Sequence, residues 1–455
     1  MRWSCTVTVN VHPLLVDMSS STVKTTKYPA IANAPLIGLA EGNGTFSNIQ
    51  LAAAVLLVPY IVKSILPIVK YGGFKTYLFI ALLTGVPTTV GYWALMSAYG
   101  PRKNEKVVLP GKDIEEYITI NDPELKALYN GKNKINIQVF HDAYFEGKID
   151  VKGDMLEILE QRHDWAKFNL NLEHFKYVLT RLVPDVIMHS QNQDEEQIRD
   201  NYDRGNDFYE WFLGPRMIYT SGVILDADRE ETLEELQDNK LKNYGVDATG
   251  VTLAKEQAKF GTERIAKNGV SIPAGVKYNK IVTLEMAEHV GIRRYGTFLK
   301  EVYDLLDDDG ILVYQVAGLR PHWQYEDLTW GLFMNKYVFP GADASCSLGW
   351  VITQLESAGF EVKNIDVLGV HYSATIDRWY KNWLANKDKV VAKYGEKLYR
   401  IWTYFLASSV IVARQGGSSV FQITLHKNLN AYHRVKGVKN HYSIHVQTEK
   451  EPMYV

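Results

Sequence analysis

The sequence predicts an α/β protein built on a parallel sheet and preceded by an apolar two-helix hairpin. Three observations predict it. Residues 48–70 and 78–99 are dominated by Leu, Val, Ile and Ala, and each run reaches the roughly 20 residues that cross a hydrocarbon core. Further on, the β-rich run Lys280-Ile281-Val282-Thr283-Leu284, a helical pattern over residues 295–306 and a second β-rich run over 311–316 follow one another. Strand, helix and strand in that order is the signature of a parallel sheet. The chain has 455 residues, 46% hydrophobic and 22% charged, which provides for about three structural units at roughly 150 residues each and excludes a disordered or collagen-like chain.

Residues 1–47, with Ser, Thr, Gly and Asn scattered through them, read as a flexible tail. No cleavable signal peptide is read, because the first nine residues lack an apolar core segment and the apolar runs begin far too late. Residues 48–100 form the predicted transmembrane hairpin. Lys63 interrupts the first run, while the second holds no ionised side chain. Tyr60, Tyr77, Tyr92, Trp93 and Tyr99 stand where interfacial aromatics sit. A buried hairpin in a soluble core is the competing reading, but soluble cores seldom place two such runs side by side. The short loop over 71–75 puts both ends on one side of the bilayer. Arg102, Lys103 and Lys106 after the second run, against Lys70 and Lys75 in the loop, place the carboxy-terminal part in the cytosol. The sequon Asn43-Gly44-Thr45 is then cytosolic and unglycosylated.

Residues 101–198 read as an amphipathic helical connecting region or lid, whose apolar face packs against the main domain or, in the alternative, forms a lid or membrane-facing surface. Leu172, Phe175, Val178, Leu179, Leu182, Val183 and Val186 recur at helical spacing, and Pro184 kinks or ends that helix. After it, the strands of the α/β part are separated by the acidic turn Asp307-Asp308-Asp309-Gly310. Ligands of such sheets bind beyond the carboxyl ends of strands, where Glu288, His289 and Gln315 fall.

Composition also excludes several functions. Fifty Lys and Arg against 52 Asp and Glu give a net charge of −2, so no electrostatically driven nucleic-acid binder is read. Two cysteines make no disulfide scaffold, and no Cys/His cluster has metal-ligand spacing. The segment from Gly245 to Thr252 misses a phosphate loop because Val251 stands where Lys is needed.

Tyr219-Thr220-Ser221-Gly222, Met286-Ala287-Glu288-His289-Val290-Gly291, Asn335-Lys336-Tyr337-Val338-Phe339-Pro340-Gly341 and His371-Tyr372-Ser373-Ala374-Thr375, with Trp379 and Trp383, occur in that order. Together they resemble the cyclopropane fatty-acid synthase family of S-adenosylmethionine-dependent methyltransferases over residues 199–434. The hairpin, Gln315-Val316-Ala317-Gly318 and Trp323-Gln324-Tyr325-Glu326-Asp327 are similar to the membrane-anchored branch that methylates sphingolipids. The resemblance implies a Rossmann-like class I methyltransferase sheet and S-adenosylmethionine as co-substrate. It also implies C-methylation of a sphingoid-base double bond at carbon 9, on ceramide or glucosylceramide precursors held in the bilayer. In this chemistry an alkene carbon attacks the sulfonium methyl, and a base removes a proton from the cation left beside it.

The same resemblance places the base at Glu288 with Tyr372, beside His289. Ser221 stands where the synthases have Cys and Gln315 where many have His. Both replacements change how an anion is held and count against bicarbonate; they agree with methyl branching over ring closure. Tyr219 and Thr220 match the pair that reaches the methionine end of the cofactor. Thr252, Leu253, Ala254, Lys255, Glu256 and Gln257 match the segment along its adenosine.

Two family elements are missing. A strand ending in Asp followed by Gly-Cys-Gly-Trp-Gly should lie near residues 242–244, and a further strand with an adenine contact near 270–275; family-like sequence resumes at once on either side. The sheet is therefore expected to be incomplete, with residues 435–455 as a tail. A fatty-acyl cyclopropane synthase and a non-catalytic membrane-anchored relic are the alternative readings. An endoplasmic reticulum or Golgi membrane is expected from where sphingolipids are built, and oligomeric state has no signal in the sequence.

Overall fold

A computed structural model describes residues 47–99, 109–182, 205–226, 229–242, 277–321, 324–340 and 346–431. The first two helices, α1 (Asn48–Ile65) and α2 (Phe74–Tyr99), occupy the two apolar runs. Ser47 caps α1 by accepting from the Gln50 N–H at 3.3 Å. The helices are tied at two levels: the Tyr77 hydroxyl donates to the Leu56 carbonyl at 2.9 Å, and the Tyr92 hydroxyl donates to Gln50 Oε1 at 3.0 Å. Only 6% of each apolar window is buried in protein. Leu56, Ile61, Phe79, Leu82 and Leu83 are all exposed, an apolar surface far larger than a water-soluble hairpin presents.

The described part of the connecting region, residues 109–182, is not one amphipathic helix. Strands Ile118–Ile120 and Ile149–Val151 pair antiparallel, and Ile135–Asn136 pairs parallel with Ala166–Lys167. Between them run short helices, among them Ile137–Phe145, Met155–Glu160 and Leu172–Tyr177. Local capping explains the break-up. Asp154 accepts from the N–H groups of Leu156 and Glu157 at 2.9 and 3.2 Å, and Asn171 and His174 form a reciprocal capping box. Leu172, expected on the apolar face, is exposed. Phe140 and Trp165 are buried in the same cluster as Phe208, Trp383 and Trp402, so the described part of this region is a wall of the main body.

That body contains α3 (Asn206–Leu213), α4 (Leu233–Lys242), β1 (Tyr278–Leu284), α5 (Tyr295–Leu305), β2 (Leu306–Leu319), α6 (Tyr325–Phe333), α7 (Leu348–Ser357), β3 (Phe360–Val367), α8 (Gly369–Ala385), α9 (Glu396–Arg414) and β4 (Ser418–Lys427). Among the described residues the sheet order is β1-β2-β4-β3. β1 and β2 are parallel, as the strand-helix-strand pattern predicts, and β4 is antiparallel to both β2 and β3. The acidic run expected as a turn lies inside β2. Tyr278 pairs with Leu306 and Lys280 with Ile311, so residues 307–310 form an irregularity that one strand carries alone.

Leu299 and Val302 of α5, Val351 and Leu355 of α7, and Leu312, Tyr314, Val316, Ile423 and Leu425 of the sheet form one buried cluster. Strand alternation turns Gln315 away from Tyr314 and Val316 to the other face of the sheet. There Tyr372 of α8 and the segment before α4 come to meet it.

Candidate active site

The site is assembled where β1 ends. Glu285 follows its last residue, and the Glu285 N–H donates to the Gln315 carbonyl at 2.9 Å. Thr220 reaches this point because Gly222 lets its segment lie against α4: a Cβ at Gly222 would stand 2.6 Å from Leu236 Cβ and 2.9 Å from its carbonyl carbon. The Val223 N–H is bonded to the Leu236 carbonyl at 2.9 Å, and the Gly222 N–H to Thr375 Oγ1 at 3.0 Å.

Three donors converge on the Glu285 carboxylate. Thr220 Oγ1 donates to Oε1 at 2.7 Å, Gln315 Nε2 to the same oxygen at 2.6 Å, and the Tyr372 hydroxyl to Oε2 at 2.9 Å. A second layer holds Thr220: Lys240 Nζ and Gln315 Nε2 donate to its hydroxyl at 2.9 and 2.7 Å, and Gln237 Nε2 to its carbonyl at 2.8 Å. Lys240 is 1% exposed and Gln315 is fully buried. Burial lowers the Lys240 ammonium to about 8, with the Glu285 charge opposing the shift. Burial first, and the Glu285 charge second, raise the Tyr372 phenol well above its ordinary value, so it stays a donor.

Aromatic rings line one side. Trp379 lies 5.4 Å from Tyr219 and 5.8 Å from Tyr372 between ring centroids, and Phe212 lies 5.4 Å from Tyr219. Faces of this kind tolerate positive charge in a dry site.

The structure thus brings Thr220, Gln315, Tyr372 and Tyr219, four of the residues singled out in the sequence, together. Glu288 is set apart from their hydrogen-bond cluster. Its Oε1 accepts from the Ala317 N–H at 2.5 Å, while its Oε2 is buried without a hydrogen-bond partner among the described residues. Burial, reinforced by the Glu285 charge, raises its carboxyl to about 8, so at neutral pH it is mostly protonated. Ser221 is fully buried and donates to the Gly222 carbonyl at 2.8 Å, which leaves it structural in this arrangement. Burial lowers the partly buried His289 ring to about 4 and keeps it neutral. Thr252, Leu253, Ala254, Lys255, Glu256 and Gln257 lie outside the described residues.

Sequence reasoning missed Glu285, Lys240, Gln237 and Thr375. For Glu285 a signal existed, since it directly follows a predicted strand at the end where ligands bind. Lys240 carried none, because Leu233-Glu234-Glu235-Leu236-Gln237-Asp238-Asn239-Lys240 reads as a solvated helix.

A separate cavity lined by residues including Ile137, His141, Arg162, Glu326 and Tyr404 shares none of these groups. Its charges are mutually satisfied: Arg162 Nε pairs with Glu326 Oε1, and His163 Nε2 lies 3.1 Å from Glu326 Oε2.

The family model for mycolic acid cyclopropane synthetase matches residues 189–243 and 241–423. A sphingolipid C9-methyltransferase of Gibberella zeae is 49% identical over 467 aligned positions, covering 93% of this chain and 89% of the relative. A sphingolipid C9-methyltransferase of Komagataella phaffii is 49% identical over 466 positions, covering 91% and 94%. The solved structure of a cyclopropane synthase from Mycobacterium tuberculosis is 23% identical, with a TM-score of 0.46 over 51% of this chain and 98% of that one. The sheet, the family model and the two sphingolipid relatives define an α/β enzyme of the methyltransferase class. The chain belongs to the mycolic acid cyclopropane synthetase family, in its sphingolipid C9-methyltransferase branch.

Proposed function

We propose that this protein methylates carbon 9 of the sphingoid-base double bond in ceramide or glucosylceramide precursors, with S-adenosylmethionine as methyl donor. The observation that carries the reading is the near-full-length likeness to sphingolipid C9-methyltransferases, which takes in the amino-terminal hairpin as well as the site. When bound, S-adenosylmethionine supplies an electrophilic methyl whose C–S electron pair stays on sulfur. The site suits a cationic donor: a carboxylate, a buried Gln315 Oε1 without a hydrogen-bond partner among the described residues, and the rings of Tyr219, Tyr372 and Trp379 face one region.

Tyr219 and Thr220 would hold the methionine end, and Thr252 to Gln257 the adenosine. Gln315, Tyr372 and Thr220 fix the carboxylate beside the reacting alkene, and the aromatic wall excludes water from the cation that methylation leaves on the lipid. The hairpin anchors the enzyme in the membrane that holds its substrate, with the catalytic body on the cytosolic side of endoplasmic reticulum or Golgi membranes. Lipid profiling of a deletion strain tests the reading. Loss of 9-methyl sphingoid bases with fatty acids intact is expected; loss of cyclopropane or methyl-branched fatty acyl chains with intact sphingoid bases would overturn it in favour of a fatty-acyl enzyme.

A further inference from the structure

We propose that Glu285 is the catalytic base, a carboxylate supplied by the chain itself at the position where a bicarbonate ion would otherwise be held. The inference rests on the methylation reading above and adds a residue to it. Three features of the structure carry it.

Donors that an anion in this pocket would need are already engaged. Thr220 Oγ1, Gln315 Nε2 and the Tyr372 hydroxyl all point at Glu285 oxygens within 2.9 Å. Bicarbonate therefore does not fit alongside this side chain, because it would have to displace a covalently tethered carboxylate from the same donors.

The backbone of Glu285 is in the left-handed region, with φ at +54°. A side-chain-bearing residue there is costly, and such strain persists where the surroundings over-determine it, often at functional sites. Here the surroundings are the Gln315 carbonyl on the backbone side and three donors on the side chain. The strained turn aims the carboxylate from the end of β1 toward α8 and its aromatic residues.

The other carboxyl of the motif is placed for a different task. Glu288 faces the Ala317 N–H, and a mostly protonated group is a poor acceptor for another proton. In the reaction, the lipid carries positive charge on the carbon beside the new methyl. Glu285 takes a proton from the adjoining C–H, the electron pair of that bond re-forms the double bond, and the proton then leaves the carboxyl for solvent.

The test uses the purified full chain in detergent, with Glu285→Gly and Glu285→Gln variants. Glycine is favoured at this φ, so Glu285→Gly keeps the fold while emptying an anion-sized site. Formate and bicarbonate in excess are expected to raise the melting temperature of Glu285→Gly by about 2–4 °C and to leave the unsubstituted protein unmoved. Equal shifts in both proteins, or none in the variant, would overturn the proposal. In methyl-transfer assays on ceramide, run on the chain completed by inserting a relative's segments at 242–244 and 270–275, Glu285→Gln is expected to lose about 100-fold or more of its rate, and bicarbonate to rescue Glu285→Gly. A rate that falls when bicarbonate is stripped from the buffer, in the completed chain with Glu285 unchanged, would also overturn it. A chain completed in this way that methylates no sphingolipid under any condition sinks the functional reading instead, and the anion-binding result still decides the role of Glu285.

Discussion

Glu288 and Glu326 show how one residue type is driven in opposite directions by its surroundings. Burial and the Glu285 charge raise Glu288 to about 8, above the ordinary unfolded value of about 4.3. The stability this group contributes is thus complete below that unfolded value and is lost as pH rises toward 8. Glu288→Gln, which resembles the protonated acid, is expected to flatten the fall in melting temperature between pH 5 and 9; an unchanged slope in thermal melts would refute this. Burial alone would raise Glu326 too, but Arg162 and His163 outweigh it and hold the carboxyl well below its usual range. Its contribution is present above the unfolded value and is lost as pH falls through the acid range. Removing one partner of a buried pair strands the other, so Arg162→Met is expected to cost about 3–5 kcal/mol in denaturant unfolding, against a much smaller loss for the exposed pair of Arg216 and Asp238. Little of this was legible in the sequence. Residue type names a carboxylate, but its partners come from segments far apart in the chain, as Glu326 and Arg162 do.

Elements with their own periodicity or flanking signals were read well, and those decided by local capping were not. β1, α5 and β2 follow from alternation and helical spacing, and the hairpin from sheer apolar length. Over residues 156–187 the apolar spacing favours a helix ended near Pro184, yet in the described part Asp154 and Asn171 each start a short one by satisfying orphan N–H groups. The motif segment 219–222 was legible as chemistry but not as architecture: its glycine serves the close approach to α4. Gly222→Ala is therefore expected to destabilise the protein by about 1–3 kcal/mol and to displace Thr220 from Glu285. The observable is a lowered melting temperature together with a weakened anion response when the substitution is added to Glu285→Gly. A melting temperature unchanged by Gly222→Ala would show that the two segments separate without consequence.

At the scale of the whole molecule, the chain is shorter than its relatives over the stretch they share. The family match divides into two parts that meet at residues 241–243. The Gibberella zeae alignment runs over 467 positions while 93% of this chain is about 423 residues, so about 44 positions of that relative have no counterpart here. β1 is an edge strand among the described residues, with Asn279, Lys280 and Val282 exposed, and an open hydrogen-bonding edge is a feature that natural sheets normally cover or pair. We infer that the absent segments carry the glycine-rich strand and its neighbour, which would extend the sheet beyond β1 and floor the cofactor site next to Tyr219 and Thr220. Thr220 lies before both junctions and Glu285, Gln315 and Tyr372 lie after both, so this cluster is built entirely from residues the chain retains. Two outcomes follow for the chain as it stands. Calorimetry is expected to show S-adenosylmethionine binding weaker than micromolar, and inserting the two segments from a sphingolipid C9-methyltransferase at 242–244 and 270–275 is expected to restore both binding and complementation of a deletion strain. Micromolar affinity in the 455-residue chain would refute the inference directly. So would a continuous transcript encoding the present junctions together with full complementation by the unmodified chain, because the hairpin, the aromatic wall and the Glu285 cluster would then suffice without the family's glycine-rich floor.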